Sequence, residues 1–183
     1  SFVLHQVESF GANLIQVEVK IPNTSAMSSE NTTSRAQGVQ ITTLILKDEE
    51  AMRKLSNVES SYAGSIGQER ATVGSVEKRI FLFGTGSDAP SVDENIKLAS
   101  GRFFTRNEDT NLDQVAVIGS EIKETFFGQN EAVGQSISIK GEKYRVIGVM
   151  APRGSAAFFN LDTFTYIPIQ TLQKKILGVN YVQ

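Results

Sequence analysis

The chain has 183 residues, 40% of them hydrophobic and 21% charged, with a net charge of −2. That is the profile of a globular chain long enough to bury its own core. It contains no cysteine and one histidine, His5, which excludes disulfides, thiol nucleophiles and zinc sites of Cys and His, and leaves a serine triad only a near-terminal imidazole.

No basic block and no aromatic-plus-arginine cluster occurs, so nucleic acid is not an expected partner. No apolar run reaches the roughly 18 residues of a membrane span. The composition therefore describes either a soluble protein or a soluble piece of a larger one. The absence of cysteine is compatible with life outside the cytoplasm.

In chain order, the first element is NLIQVEVKI (13–21), where Ile15, Val17, Val19 and Ile21 alternate with other residues as in a half-buried strand. PNTSAMSSENTTSRAQG (22–38) has almost nothing to bury and reads as a flexible loop. Its sequons at Asn23 and Asn31 matter only in a eukaryotic secretory setting. LKDEEAMRKLSN (46–57) predicts a helix capped near Asp48, with Arg53 and Lys54 in its last turn and Ala51, Met52 and Leu55 inward.

The stretch 58–84 predicts two or three strands turning near Gly74-Ser75, because Ile80, Phe81, Leu82 and Phe83 favour strand. DAPSVDENI (88–96) predicts one helical turn begun by Asp88 and Pro90, and 98–114 reads as a polar loop. Val115, Ala116, Val117 and Ile118 predict a strand covered on both faces. Gly119 then allows a tight exit, Ser120 is the expected N-cap, Ile122, Phe126 and Phe127 share one helix face, and Gly128 ends the helix.

GQSISIKGEKYRVIGVMAP (134–152) predicts a hairpin, with Ile137 and Ile139 inward, a turn at 140–142, Tyr144 and Val146 returning, and Gly148 at a bulge. FTYIPIQTLQKKILG (164–178) predicts a strand stopped by Pro168 and a helix ending at Gly178. Strands and short helices mix without a steady βαβ repeat, so the class is α+β.

Candidate chemistry is thin. The Gly119 turn begins as a nucleotide-binding turn does, but the positions that should carry further glycines are Ser, Glu, Ile, Lys and Glu. No Gly-Lys-Ser or Gly-Lys-Thr occurs either, so a plain turn is expected and no cofactor. Asp109, Asn111 and Asp113 sit at the first, third and fifth positions of a calcium loop, but Gln114 replaces its glycine and Ser120 its bidentate glutamate. No metal is expected.

The adjacent acids Glu108-Asp109, Asp93-Glu94 and Asp48-Glu49-Glu50 read as solvated faces or caps rather than a catalytic pair. FGTGSD, with Gly84 and Gly86, is too short a glycine signal for phosphate. In GSAAFFNL (154–161) an apolar tip follows Pro152, so Ala156, Ala157, Phe158 and Phe159 are either folded onto the core or a partner-docking loop.

The ordered set FGANLIQV, LKDEEAMRKLSNVESSYA, LASGRFFTRNEDTNLDQVAVIGSEIKETFFG, AVGQSISIKGEKYRVIGVMAP and YIPIQTLQKKILG resembles the extracytoplasmic core domain of MacB-type ABC transporter permeases, a class related to the FtsX and lipoprotein-releasing permeases. The resemblance covers nearly the whole chain outside the Ser/Thr-rich loop. It implies a mixed two-lobed domain, with a porter-like strand-helix-strand lobe at 1–73, an inserted second lobe at 74–168, and a return helix at 169–183 that starts a segment continuing further in the family.

The resemblance also implies a non-enzymatic domain at the outer face of the cell membrane, joined to the membrane only through flanking helices. Its expected partners are a cytoplasmic ATPase domain or subunit, a second permease copy, and an adaptor or accessory protein. The alternative is a freestanding ligand-binding protein or small hydrolase.

Overall fold

The computed structural model describes residues 15, 17, 44–156 and 159–180, with backbone alone at 156 and 159. Of the first predicted strand only Ile15 and Val17 are described. Both are exposed, at 87% and 55%, rather than half-buried. The segment 22–38 lies outside the described residues.

The described chain opens with helix α1 (Leu46–Arg53). Its N-cap is Ile45, whose N–H donates to Asp48 Oδ2 at 2.8 Å, so the cap lies three residues before the expected position while Asp48 serves it from inside the first turn. The expected inner face does not form. Ala51 is exposed, Leu55 is 54% exposed and only Met52 is half-buried.

Strands β1 (Gly64–Val73) and β2 (Val76–Thr85) form the predicted hairpin, turned by Gly74-Ser75 with Gly74 at φ 57°. A positive φ at the first central residue is the conformation that glycine adopts at no steric cost. Helix α2 (Ala89–Val92) is the predicted single turn after Asp88.

The expected polar loop at 98–114 instead contains strand β3 (Leu98–Gly101) and helix α3 (Arg106–Thr110). Thr105 caps α3 reciprocally. Its hydroxyl accepts from Glu108 N–H at 3.3 Å while Glu108 accepts from Thr105 N–H at 2.9 Å.

Strand β4 (Val115–Ile118) is buried at every residue, and helix α4 (Ser120–Phe127) buries Ile122, Phe126 and Phe127 as its periodicity requires. Its N-cap is Gly119, one position earlier than the sequence suggested, with Ser120 the first helical residue. Strands β5 (Ser136–Ile139) and β6 (Glu142–Met150) turn through Lys140 (φ 53°) and Gly141 (φ 82°). Against β4 the register steps from Val146 to Gly148, so the bulge expected at Gly148 forms with Ile147 as the extra residue.

Short strands β7 (Ser155–Ala156) and β8 (Phe159–Asn160) pair with each other. A 3₁₀ turn (Leu161–Thr163) leads to β9 (Phe164–Pro168), then to α5 (Ile169–Thr171), which continues as a π-helix over Leu172–Leu177 and stops at Gly178 (φ 67°).

The main sheet runs β3-β6-β4-β9-β2-β1-β5, and β5 also pairs with β6, so the sheet closes on itself and β3 and β5 share one edge of β6. Parallel pairs (β2–β9, β4–β6) mix with antiparallel ones, which is the α+β arrangement. The boundary expected between residues 73 and 74 falls on the β1–β2 turn, within this sheet.

Two apolar clusters line the two faces. One gathers Leu82, Ile118, Ile137, Ile139, Tyr144 and Leu172 with the inner side of α4. The other holds Val117, Met150, Phe164 and Tyr166.

Candidate functional site

The apolar stretch singled out by sequence is the β7–β8 hairpin, and its base is built by polar groups. After Pro152 the chain turns at Gly154, whose φ of 72° is a glycine conformation. The Asp162 carboxylate accepts from the N–H groups of Arg153 (2.7 Å) and Gly154 (2.9 Å), so one buried acid fixes the incoming limb.

The outgoing limb is held by Asn160. Its Oδ1 accepts from Asp162 N–H at 3.0 Å, its Nδ2 donates to Glu121 Oε1 at 2.6 Å, and its carbonyl accepts from the Thr163 hydroxyl at 2.7 Å. Leu161 N–H closes the base on the Gly154 carbonyl at 2.9 Å. Burial alone would raise the Asp162 pKa. The two backbone donors, the Ser120 hydroxyl and the Arg153 charge outweigh that, and the carboxyl titrates below its ordinary range.

Arg153 extends the clamp into the core. Its Nη2 meets Asp93 Oδ2 at 2.7 Å and its Nη1 donates to Tyr166 Oη at 3.2 Å. Burial raises the pKa of Tyr62 and of Tyr166, and Asp93 pushes each further while the Arg153 charge opposes it. The hairpin is therefore mounted on a sheet strand and on the end of α2, which makes its base a rigid platform. Ala156 pairs with Phe159 across the hairpin, while 157 and 158 lie outside the described residues.

The Gly119 turn serves this platform. Its N–H donates to the Phe164 carbonyl at 2.8 Å, and a Cβ there would lie 2.2 Å from the Asp162 carbonyl oxygen.

Each acidic pair has a structural employer. Glu108 takes Arg102 in a two-point contact, Nη2 to Oε1 at 2.7 Å and Nη1 to Oε2 at 2.8 Å, and its pKa falls to about 2. The Arg102 bonds are the main cause and outweigh burial, helped by Thr105. Asp109 accepts from Gln170 N–H at 2.9 Å and so caps the start of α5, although burial holds its carboxyl above the ordinary range.

Asp93 holds Arg153, and Glu49 joins Arg53, which also meets Asp88 at 2.7 Å. Of the expected solvated faces or caps, Glu108 and Asp48 are caps, while Asp93 and Glu49 instead hold arginines. The Arg153–Asp93 pair spans 60 residues and leaves no local trace. Among the described residues no group of three or more His, Cys, Asp or Glu could hold a metal ion, and no helix is long and apolar enough to cross a membrane.

Residues 1–182 match the family described as MacB-like periplasmic core domain. A macrolide export ATP-binding/permease protein MacB of Wolinella succinogenes is 26% identical over 99% of this chain and 26% of its own length. The pyoverdine export ATP-binding/permease protein PvdT of Pseudomonas syringae pv. syringae is 26% identical over 96% of this chain and 25% of its own. The chain thus spans about a quarter of the length of these relatives.

Among solved structures, the periplasmic region of MacB from Actinobacillus actinomycetemcomitans superposes with a TM-score of 0.70 at 24% identity, covering 83% of this chain and 66% of that one. The extracellular domain of the noncanonic ABC-type transporter YknZ from Gram-positive bacteria gives 0.64 at 21% identity, with 76% and 69% covered. With a family match that runs essentially from end to end and the fold shared with these domains, the chain belongs to the family of MacB-like periplasmic core domains.

Proposed function

We propose that this chain is the extracytoplasmic domain of an ABC transporter permease, and that it couples ATP-driven movement of flanking membrane helices to export or signalling at the outer face. The carrying observation is the family match over residues 1–182, in relatives described as export ATP-binding/permease proteins. In this reading the ATPase resides on another domain or subunit, and two permease copies work together. The β7–β8 hairpin, with Ala156, Ala157, Phe158 and Phe159 at its end, docks an adaptor or accessory protein. A body that transmits force needs rigid connections from its mount to its docking end. The Arg153–Asp93 and Asp162 contacts supply one such connection.

The test is export by the intact transporter in a host lacking its own exporters, with ATP turnover measured in parallel. Replacing 156–159 by Gly-Ser is expected to abolish export while ATP turnover persists. Unchanged export with the altered hairpin would defeat the docking role, and failure of the intact transporter to move any macrolide or siderophore would defeat the export reading.

A further inference from the structure

The β1–β2 hairpin extends beyond the strand that flanks it. Strand β9 pairs with β2 only from Phe81 to Thr85, so among the described residues β2 has no strand neighbour on that side from Val76 to Ile80. The direction in which the backbone groups point there follows from the ladder. In a hairpin with a two-residue turn the pair flanking the turn is hydrogen-bonded, here Val73 with Val76, and alternate pairs follow it. Arg70 and Arg79, three pairs on, belong to the other set, and their N–H and C=O groups point away from each other's strand.

An independent contact confirms the parity on the β1 side, since the Arg70 carbonyl accepts from Lys140 N–H at 3.0 Å. On the β2 side the equivalent groups of Glu77 and Arg79 face outward beside four consecutive exposed residues.

A groove of about 230 Å³ runs along this edge, between β2 and α4. Ile80, Ile122 and Phe126, which pack in one core cluster, line it with apolar surface, and the exposed Lys78 and Arg79 flank them. Neither cation has an acidic partner within ion-pair distance among the described residues, whereas Arg70 meets Glu77 at 3.2 Å. Glu121, the acid on the opposite rim, is engaged by Asn160.

We propose that this open edge binds an extended, acidic segment of a partner protein as an added strand, with its backbone on Glu77 and Arg79, its acids on the face that carries Arg79, and its alternate apolar side chains on the opposite face, in the groove beside Ile80. A second copy of this chain meets like charges in every register. An antiparallel twofold pairing of the outward-facing residues through 77 or 79 opposes Glu to Glu or Arg to Arg. One through 78 opposes Lys to Lys, although it also sets Glu77 against Arg79 on each side. This surface adjoins the base of the β7–β8 hairpin, since Glu121 and Thr163 line it and both bond Asn160, but it does not include the hairpin end.

The probe is a capped peptide of alternating Glu and Val, with a Lys and Val peptide as control, titrated into the 183-residue chain while amide exchange is read by residue. The Glu/Val peptide is expected to bind, to protect the Glu77 and Arg79 amides from exchange, and to weaken with salt. R79E should weaken it about tenfold at unchanged melting temperature, and K78E, on the other face, should weaken it less. E77P removes an outward N–H while keeping both cations, and should abolish protection at Arg79.

Equal binding of both peptides, or binding without protection at Glu77 and Arg79, would overturn the proposal. No binding at millimolar peptide would mean that the two cations only guard the edge against aggregation. Protection that rises with protein concentration in the absence of peptide would assign the edge to a second copy instead.

Discussion

A Cβ on Gly119 would lie 2.2 Å from the carbonyl oxygen of Asp162, closer than two such atoms can approach. The strand-to-helix turn and the exit of the β7–β8 hairpin are thus in backbone contact, and the glycine is there for packing. Gly119→Ala should force one of the two backbones aside and cost about 1–3 kcal/mol, read as a lower urea midpoint with an unchanged slope. The loss should appear first as faster amide exchange at Arg153 and Gly154, whose N–H groups depend on Asp162. A variant as stable as the parent would show that the turn relaxes freely.

The C-terminal helix is seated by two other glycines, on unequal terms. A Cβ on Gly84 would lie 2.5 Å from Leu172 Cδ2 and 2.9 Å from its Cβ, whereas one on Gly67 would meet only side-chain tips of Leu177 and Leu172, at 3.2 and 3.4 Å. A side-chain tip can rotate away and a Cβ cannot. Gly84→Ala is therefore expected to cost about 1–3 kcal/mol, and Gly67→Ala under about 1. Equal costs in thermal unfolding would mean that the π-helical stretch slides on the sheet as a unit.

Elements whose signal is local were legible. Val115 to Ile118 announce themselves because both faces of β4 are covered, and the Gly74-Ser75 and Lys140-Gly141 turns because turn chemistry is short-range. Strand β3 was not legible, because Leu98–Gly101 becomes a strand only by pairing with β6, far away in sequence. The N-cap was misplaced onto Ser120 because its hydroxyl outranks a glycine on propensity, while the close approach of Asp162 that demands Gly119 is a tertiary fact. The inner face assigned to α1 failed because a helical stripe says which residues share a side, and not what covers it. For the candidate site, the apolar hairpin was visible in GSAAFFNL, but its clamp was not, since Arg153, Asp93 and Asp162 come from three separate elements.

Acid should loosen the loop after β3. The Glu108 carboxyl titrates at about 2, below its reference value of 4.5, chiefly because Arg102 holds the ionised form. A carboxyl whose folded pKa is depressed contributes stability that is complete above the unfolded value and is lost as pH falls from about 4.5 towards 2. Arg102 is half-exposed, so solvent discounts the contribution to about 1–2 kcal/mol. Asp162 is lowered as well and adds a slope of the same sign. Glu108→Gln should therefore flatten part of the acid limb in a series of urea midpoints between about pH 5 and pH 2. An identical acid limb in parent and variant would refute the assignment.

The hairpin end is expected to separate binding from stability. Its base is fixed by Asp162, Asn160 and Leu161, all outside the four residues assigned to docking, so the platform should persist when the end is altered. Fully burying a phenylalanine contributes about 1.5–3 kcal/mol, and an exposed ring that a partner later covers transfers that gain from folding to association. Phe158→Ser and Phe159→Ser should therefore each change the melting temperature by less than about 2 °C, the shift expected for under about 0.5 kcal/mol. The same substitutions should weaken capture of the partner, or export by the intact transporter, about tenfold or more. A loss of several kcal/mol of stability from either substitution would place that ring in the core of this domain, and the apolar sequence of the hairpin would then need no partner to explain it.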